Sequence, residues 1–223
     1  MKRLTKFVTA LALLLSAATG AWADEVDLST LSAEYTATDG QVLTGSTTYK
    51  VYIAAGATVT LSGVTINSGY PMDCNGDATI ILADGTTNTL TASIGTALEA
   101  AYQKTLTIRG TGTLNATGGI YSPGIGNDFK EIIIEGGTIN AQGASYSAGI
   151  GLGYQQKGGS ITITGGIVNA TGGSQAPGIG SGAGRDHDNT NTPSVCGNIT
   201  ISGGIVTATA GNYCPNSIGA GNT

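Results

Sequence analysis

Charge is scarce in this chain: of 223 residues only nine are basic and fourteen acidic, and aromatic side chains make up 5%. The first 23 residues hold three of the basic residues (Lys2, Arg3, Lys6) and none of the acidic ones, so residues 24–223 carry a net charge of −8. A chain of that sign has no basic stripe for phosphates, which excludes nucleic acid and anionic lipid surfaces as partners. Long apolar runs are also missing. The one candidate, residues 7–18, is shorter than the roughly 20 residues that span a bilayer, which argues against membrane insertion. With the basic residues before it and Ala21-Trp22-Ala23 behind it, it reads as a signal peptide over 1–23. The expectation is a bacterial protein that is secreted or held at the cell surface.

Reactive side chains are few. His187 is the only histidine and has no second partner for a catalytic thiol. Arg109 and Arg185 are the only arginines beyond the signal, and no aligned pair of carboxylates suggests glycoside hydrolysis. No catalytic residue is assigned, and a polysaccharide lyase is less favoured than a binding or a structural role. Three cysteines in an exported chain leave at least one unpaired: Cys196 and Cys214 share the C-terminal loops and could bridge, while Cys74 is distant, and the pairing stays open.

What the chain does have is glycine, 37 residues of it, set among Thr, Ile, Val and Ala. That mixture predicts many short strands joined by tight corners. Four segments align: 106–119 (LTIRGTGTLNATGG), 132–144 (IIIEGGTINAQGA), 161–173 (ITITGGIVNATGG) and 199–211 (ITISGGIVTATAG). Each precedes a Gly-Ile-Gly element, around Ile125, Ile150, Ile179 and, in degenerate form, Ile218. Apolar residues recur at i, i+2, not at helical spacing, and glycines inside each repeat would cost a helix about 1 kcal/mol apiece.

Stacked repeats would place like on like. Leu106, Ile132, Ile161 and Ile199 form one interior file; Ile108, Ile134, Ile163 and Ile201 form another; Leu114, Ile139, Val168 and Val206 form a third; and Ala116, Ala141, Ala170 and Ala208 run beside it. No single coil can bury its own apolar face, but a stack can. Asn115, Asn140 and Asn169 align as an expected amide ladder. The outward file Thr107, Ile133, Thr162, Thr200 is single and imperfect, where an ice-binding face would want a flat double array. The predicted fold is all-β: a right-handed, single-stranded parallel β-helix over 49–223, with strands also at 50–53, 58–61, 64–66 and 79–82. Residues 24–48 are expected to form an irregular N-terminal cap. The C-terminal end shows no capping segment, so the chain is expected to be a fragment, to meet a cap or partner there, or to be exposed at that end.

The runs VTLSGV (59–64), IILADGTTNTL (80–90) and LTIRGTGTL (106–114) resemble the bacterial carbohydrate-binding domain-containing parallel β-helix proteins, and the Gly-rich repeats are similar to those of gut bacterial surface proteins. The resemblance covers residues 49–223. It implies a pectate-lyase-like superhelix, calcium binding, and affinity for plant cell-wall polysaccharides such as cellulose or polygalacturonate. It fixes no binding residues.

Those must come from the loops. Asp73, Asn75 and Asp77 place hard oxygens on one turn, and Asp186 and Asp188 do so in the insertion around His187, so both are candidate calcium ligands. Tyr121 and Tyr146 stand at matching positions before Gly-Ile-Gly. Gln175 and Cys214 follow at the equivalent places with Tyr213 adjacent, and Tyr154 lies in the next loop. These four tyrosines are the candidate sugar-binding residues. The resulting expectation is calcium-assisted polysaccharide binding, against the alternative of a structural or adhesive surface repeat.

Overall fold

Alternating β-branched and polar residues, interrupted by glycine, leave the chain only short strands, and these stack. The computed structural model describes residues 24–184 and 194–222. It is a right-handed parallel β-helix, and its one helical element among the described residues is the 3-10 turn Leu28–Thr30. The expected signal peptide 1–23 lies outside the described residues, as does the insertion 185–193.

Each coil gives one strand to each of three sheets. In a central coil these are Thr105–Gly110, Thr113–Thr117 and Ile125–Gly126. The next two coils repeat them as Glu131–Ile134, Thr138–Gln142, Ile150–Gly151 and as Ser160–Ile163, Ile167–Thr171, Ile179–Gly180. In the order the chain visits them, the first sheet has eight strands, the second seven and the third eight. Strands one coil apart are parallel neighbours, which sets the coils about 4.8 Å apart.

The interior files are as expected. Leu106 pairs with Ile132, Ile132 with Ile161, and Ile161 with Ile199; the Ile108, Leu114, Ala116 and Ile125 files continue in the same register. Side chains of these files are buried through the coil ending at Gly180. Burying each Leu, Ile or Val contributes roughly 1.5–3 kcal/mol, and a coil obtains it only from its neighbours.

One expectation needs correction. Residues 24–48 are not an irregular cap: Glu25–Asp27, Tyr35–Ala37, Val42–Thr44 and Ser46–Thr47 already join the three sheets. Strands of two or three residues with outward polar side chains look like loop in a sequence. Only on the second-sheet side is the first coil irregular. There the 3-10 turn replaces a strand, held by the Ser29 N–H donating to Asp27 Oδ1 at 2.9 Å, with Leu28 fully buried. The cysteine pairing that the sequence left open has an answer here: Cys74, Cys196 and Cys214 are all free. The two residues occupy different corners of the last coil. Cys196 Sγ donates to the Gly159 carbonyl at 3.4 Å, and Cys214 Sγ to that of Asn216 at 3.2 Å.

Candidate functional site

The corner between the second and third sheets turns through one residue of left-handed backbone in each late coil: Tyr121 (φ 53°), Tyr146 (66°), Gln175 (66°) and Tyr213 (65°). Tyr213, not Cys214, therefore continues the tyrosine column. The last corner has one more residue before Ile218, a difference the strand register does not constrain. Such a backbone is costly for any side chain, by about 1 kcal/mol or more, and here it carries rings rather than glycine. Tyr154 comes from the following corner, and its N–H donates to the Tyr121 carbonyl at 3.4 Å.

The rings of Tyr121, Tyr146 and Tyr154 meet pairwise, with centroids 5.6, 6.1 and 5.6 Å apart and planes tilted by 46°, 41° and 59°. The structure thus gathers three of the four expected tyrosines. Tyr121 is 53% exposed, while Tyr213, 81% exposed, stands apart from the cluster beyond Gln175. The tilts rule out one flat platform. The rings form a tilted cluster in which Tyr121 is the exposed member and Tyr146 and Tyr154 are more deeply buried.

A second group lies on the outer face of the third sheet. Tyr52, Asp73 and Glu99 are successive register partners. Lys50 forms an ion pair with Asp73, and its ammonium lies 4.6 Å from the Tyr52 ring centre and 5.1 Å from that of Tyr70. Asn127 donates through Nδ2 to Glu99 Oε1 at 2.8 Å. Burial raises the pKa values of Asp73 and Glu99 more than Lys50 and Asn127 lower them. For Lys50, burial pulls downward but is outweighed by the hydrogen bond and charge of Asp73, which raise it. Sequence reasoning missed this row, although Asp73 and Glu99 stand 26 residues apart, the spacing of the first two aligned repeats.

The same geometry tests the calcium expectation. Asp73 lies on the strand Met72–Cys74 and is taken by Lys50; Asp77 Oδ1 accepts from the Thr105 N–H at 2.8 Å; Asn75 is exposed at the corner between them. Among the described residues no three His, Cys, Asp or Glu side chains gather as a metal site. Residues 73–77 do not fit a calcium ion, because the Lys50 ammonium already supplies the cation that Asp73 needs. Asp186 and Asp188 lie outside the described residues.

The outer face of the second sheet has a different character. Asn140 Nδ2 donates to Asn115 Oδ1 at 2.8 Å, and Asn169 Nδ2 to Asn140 Oδ1 at 2.9 Å, so the expected amide ladder is formed. At the N-terminal end of this face is a groove of about 390 Å³ lined by Ser29, Ser46, Thr48, Tyr49, Thr65 and Asn67 among others.

Four segments of the chain, residues 106–128, 132–154, 161–183 and 199–222, match the family model described as a beta helix repeat. No curated protein and no solved structure matches the chain. With those four repeats stacked in register on three parallel sheets, the chain has the parallel β-helix fold that the repeat model describes.

Proposed function

We propose that the exported chain is a carbohydrate-binding β-helix that holds a plant-type polysaccharide at its tyrosine corner. The observation that carries this reading is the cluster of Tyr121, Tyr146 and Tyr154: three rings drawn from separate corners, two of them on left-handed backbone, with Tyr121 half exposed. A tyrosine offers an apolar face to a sugar ring and a hydroxyl to its oxygens, and it is ordered at low entropic cost. The resemblance described above supports the same reading. The charge of −8 and the poor fit of residues 73–77 to calcium favour neutral polymers such as cellulose or xylan over polygalacturonate.

Affinity electrophoresis through gels holding xylan, soluble cellulose derivatives or polygalacturonate, with calcium and with chelator, tests the reading. Retardation is expected on a neutral polymer without calcium, and it should be weakened in the double variant Tyr121→Ala, Tyr146→Ala. Retardation on none of the polymers would reject binding and leave a structural surface repeat.

A further inference from the structure

We propose a second binding surface, separate from the tyrosine corner: the outer face of the second sheet, together with the groove at its N-terminal end, holds an uncharged polysaccharide chain laid along the superhelix axis. The proposal rests on the carbohydrate reading above but on none of its tyrosines.

Three parallel files of side chains form this face. The first runs Thr87, Thr113, Thr138, Ile167, Ile205; the second Ser46, Thr65, Thr89, Asn115, Asn140, Asn169, Thr207; the third Asn67, Thr91, Thr117, Gln142, Thr171, Thr209. No residue in them is charged. The other two faces do carry charge, at Glu25, Arg109 and Glu131 on the first sheet and Asp73 and Glu99 on the third. In an acidic molecule one face has been kept neutral, hydroxyl- and amide-bearing, and periodic. The single outward threonine file expected from sequence lies on the first sheet; the multiple array is here.

The asparagine ladder fixes the amides in orientation. Asn140 uses one N–H toward Asn115 and accepts one from Asn169, which leaves a second N–H and further lone-pair capacity free for a ligand. Neighbouring donors and acceptors therefore repeat about every 4.8 Å with little rotamer freedom left to lose on binding. Six such steps from Ser46 to Thr207 make a track about 29 Å long.

The groove is the independent observation. Ser46, Thr65 and Asn67 begin the second and third files, and they also line the cavity of about 390 Å³. Its wall includes Ser29 and Leu31 at the 3-10 turn, and Tyr49, 39% exposed, contributes a ring. The groove is wide open to solvent, as a site for a long chain must be, and its lining lacks any ionisable group except the tyrosine phenol. Hydroxyls, amides and one ring without charge match a neutral sugar. A uronate chain would gain no cation here, and an extended peptide would seek a strand edge rather than a sheet face.

The test uses the whole mature chain and three variants: Thr65→Glu with Asn67→Glu, Tyr49→Ala, and Tyr121→Ala with Tyr146→Ala. Retention on insoluble cellulose and chitin and retardation in xylan gels are measured, with the melting temperature as the folding control. The groove variants are expected to weaken binding of a neutral polymer by about tenfold. Tyr49→Ala serves the same purpose without adding charge, should the double Glu variant fail to fold. Groove variants that bind as wild type while the corner variant loses binding overturn this surface and leave the carbohydrate reading standing. Wild-type protein that binds no glycan sinks both readings. Shaping of ice crystals without glycan retention would assign the face to ordered water and overturn the proposal.

Discussion

Asn88 sits where the other coils of its file carry Leu114, Ile139 and Val168, and it is fully buried. Its Oδ1 accepts from the Val64 N–H at 3.0 Å, and its Nδ2 donates to the Thr113 carbonyl at 3.1 Å, so one amide ties three successive coils at the first corner. Asn88→Ala removes both bonds, leaves the buried Val64 N–H without its side-chain acceptor, and is expected to lower stability by about 2–4 kcal/mol. A thermal melt within experimental error of wild type contradicts this. The carboxylates of the third sheet give a pH dependence. Asp73, facing Lys50 and Glu34, and Glu99, facing Asn127, Asp73, Lys50 and Asp128, are both raised above their ordinary values of 3.8 and 4.5 by burial. A raised folded-state pKa contributes stability that is fully present below those ordinary values and is lost as pH rises through the folded ones. The melting temperature is therefore expected to rise as pH falls through the folded values toward the ordinary ones, and Glu99→Gln, which keeps an acceptor for Asn127, should flatten the rise. An unchanged slope in that variant removes Glu99 from the account.

At the scale of the element, the third-sheet strands of the last four coils are only two residues long, and Gly126, Gly151, Gly180 and Gly219 close them in register. Gly151 has φ 132°, and a Cβ there would lie 2.0 Å from the Gly180 carbonyl oxygen. Gly151→Ala must displace the backbone of two coils, and a loss of about 3 kcal/mol or more is expected. Soluble protein with an unaltered denaturant midpoint counts against that. The strands' legibility in the sequence follows the same division. Ile161-Thr162-Ile163 and Val168-Asn169-Ala170 showed their inward faces because side chains alternate along a strand, and stacking turned sequence offsets into contacts. Hence the Asn115–Asn140–Asn169 ladder was readable residue by residue. Corners have no such rule. Tyr213 was misplaced by one position because corner length is free, and Asp73 was read as part of a turn when it lies on a strand. The groove was hidden for a further reason: its lining joins Ser29 and Leu31 to Thr65 and Asn67, residues linked only by the winding of the first coils.

For the whole molecule, stability is a sum over neighbouring coils, so position along the axis matters more than composition. Ile163 and Ile179 are fully buried, whereas Ile201 is 42% and Ile218 43% exposed at the matching positions of the last coil. Amide hydrogen exchange is expected to be slowest in Thr105–Gly110 and Glu131–Ile134 and fastest in Ile199–Ile201 and Ile218–Gly219. Uniform protection along the axis would show that the molecule opens as one unit instead. The asparagine ladder has a last consequence. Because each coil adds one rung to the second-sheet face whatever the length of its corners, that face works as a ruler. Gaining or losing a coil would change its reach by about 4.8 Å and leave every remaining mark where it was.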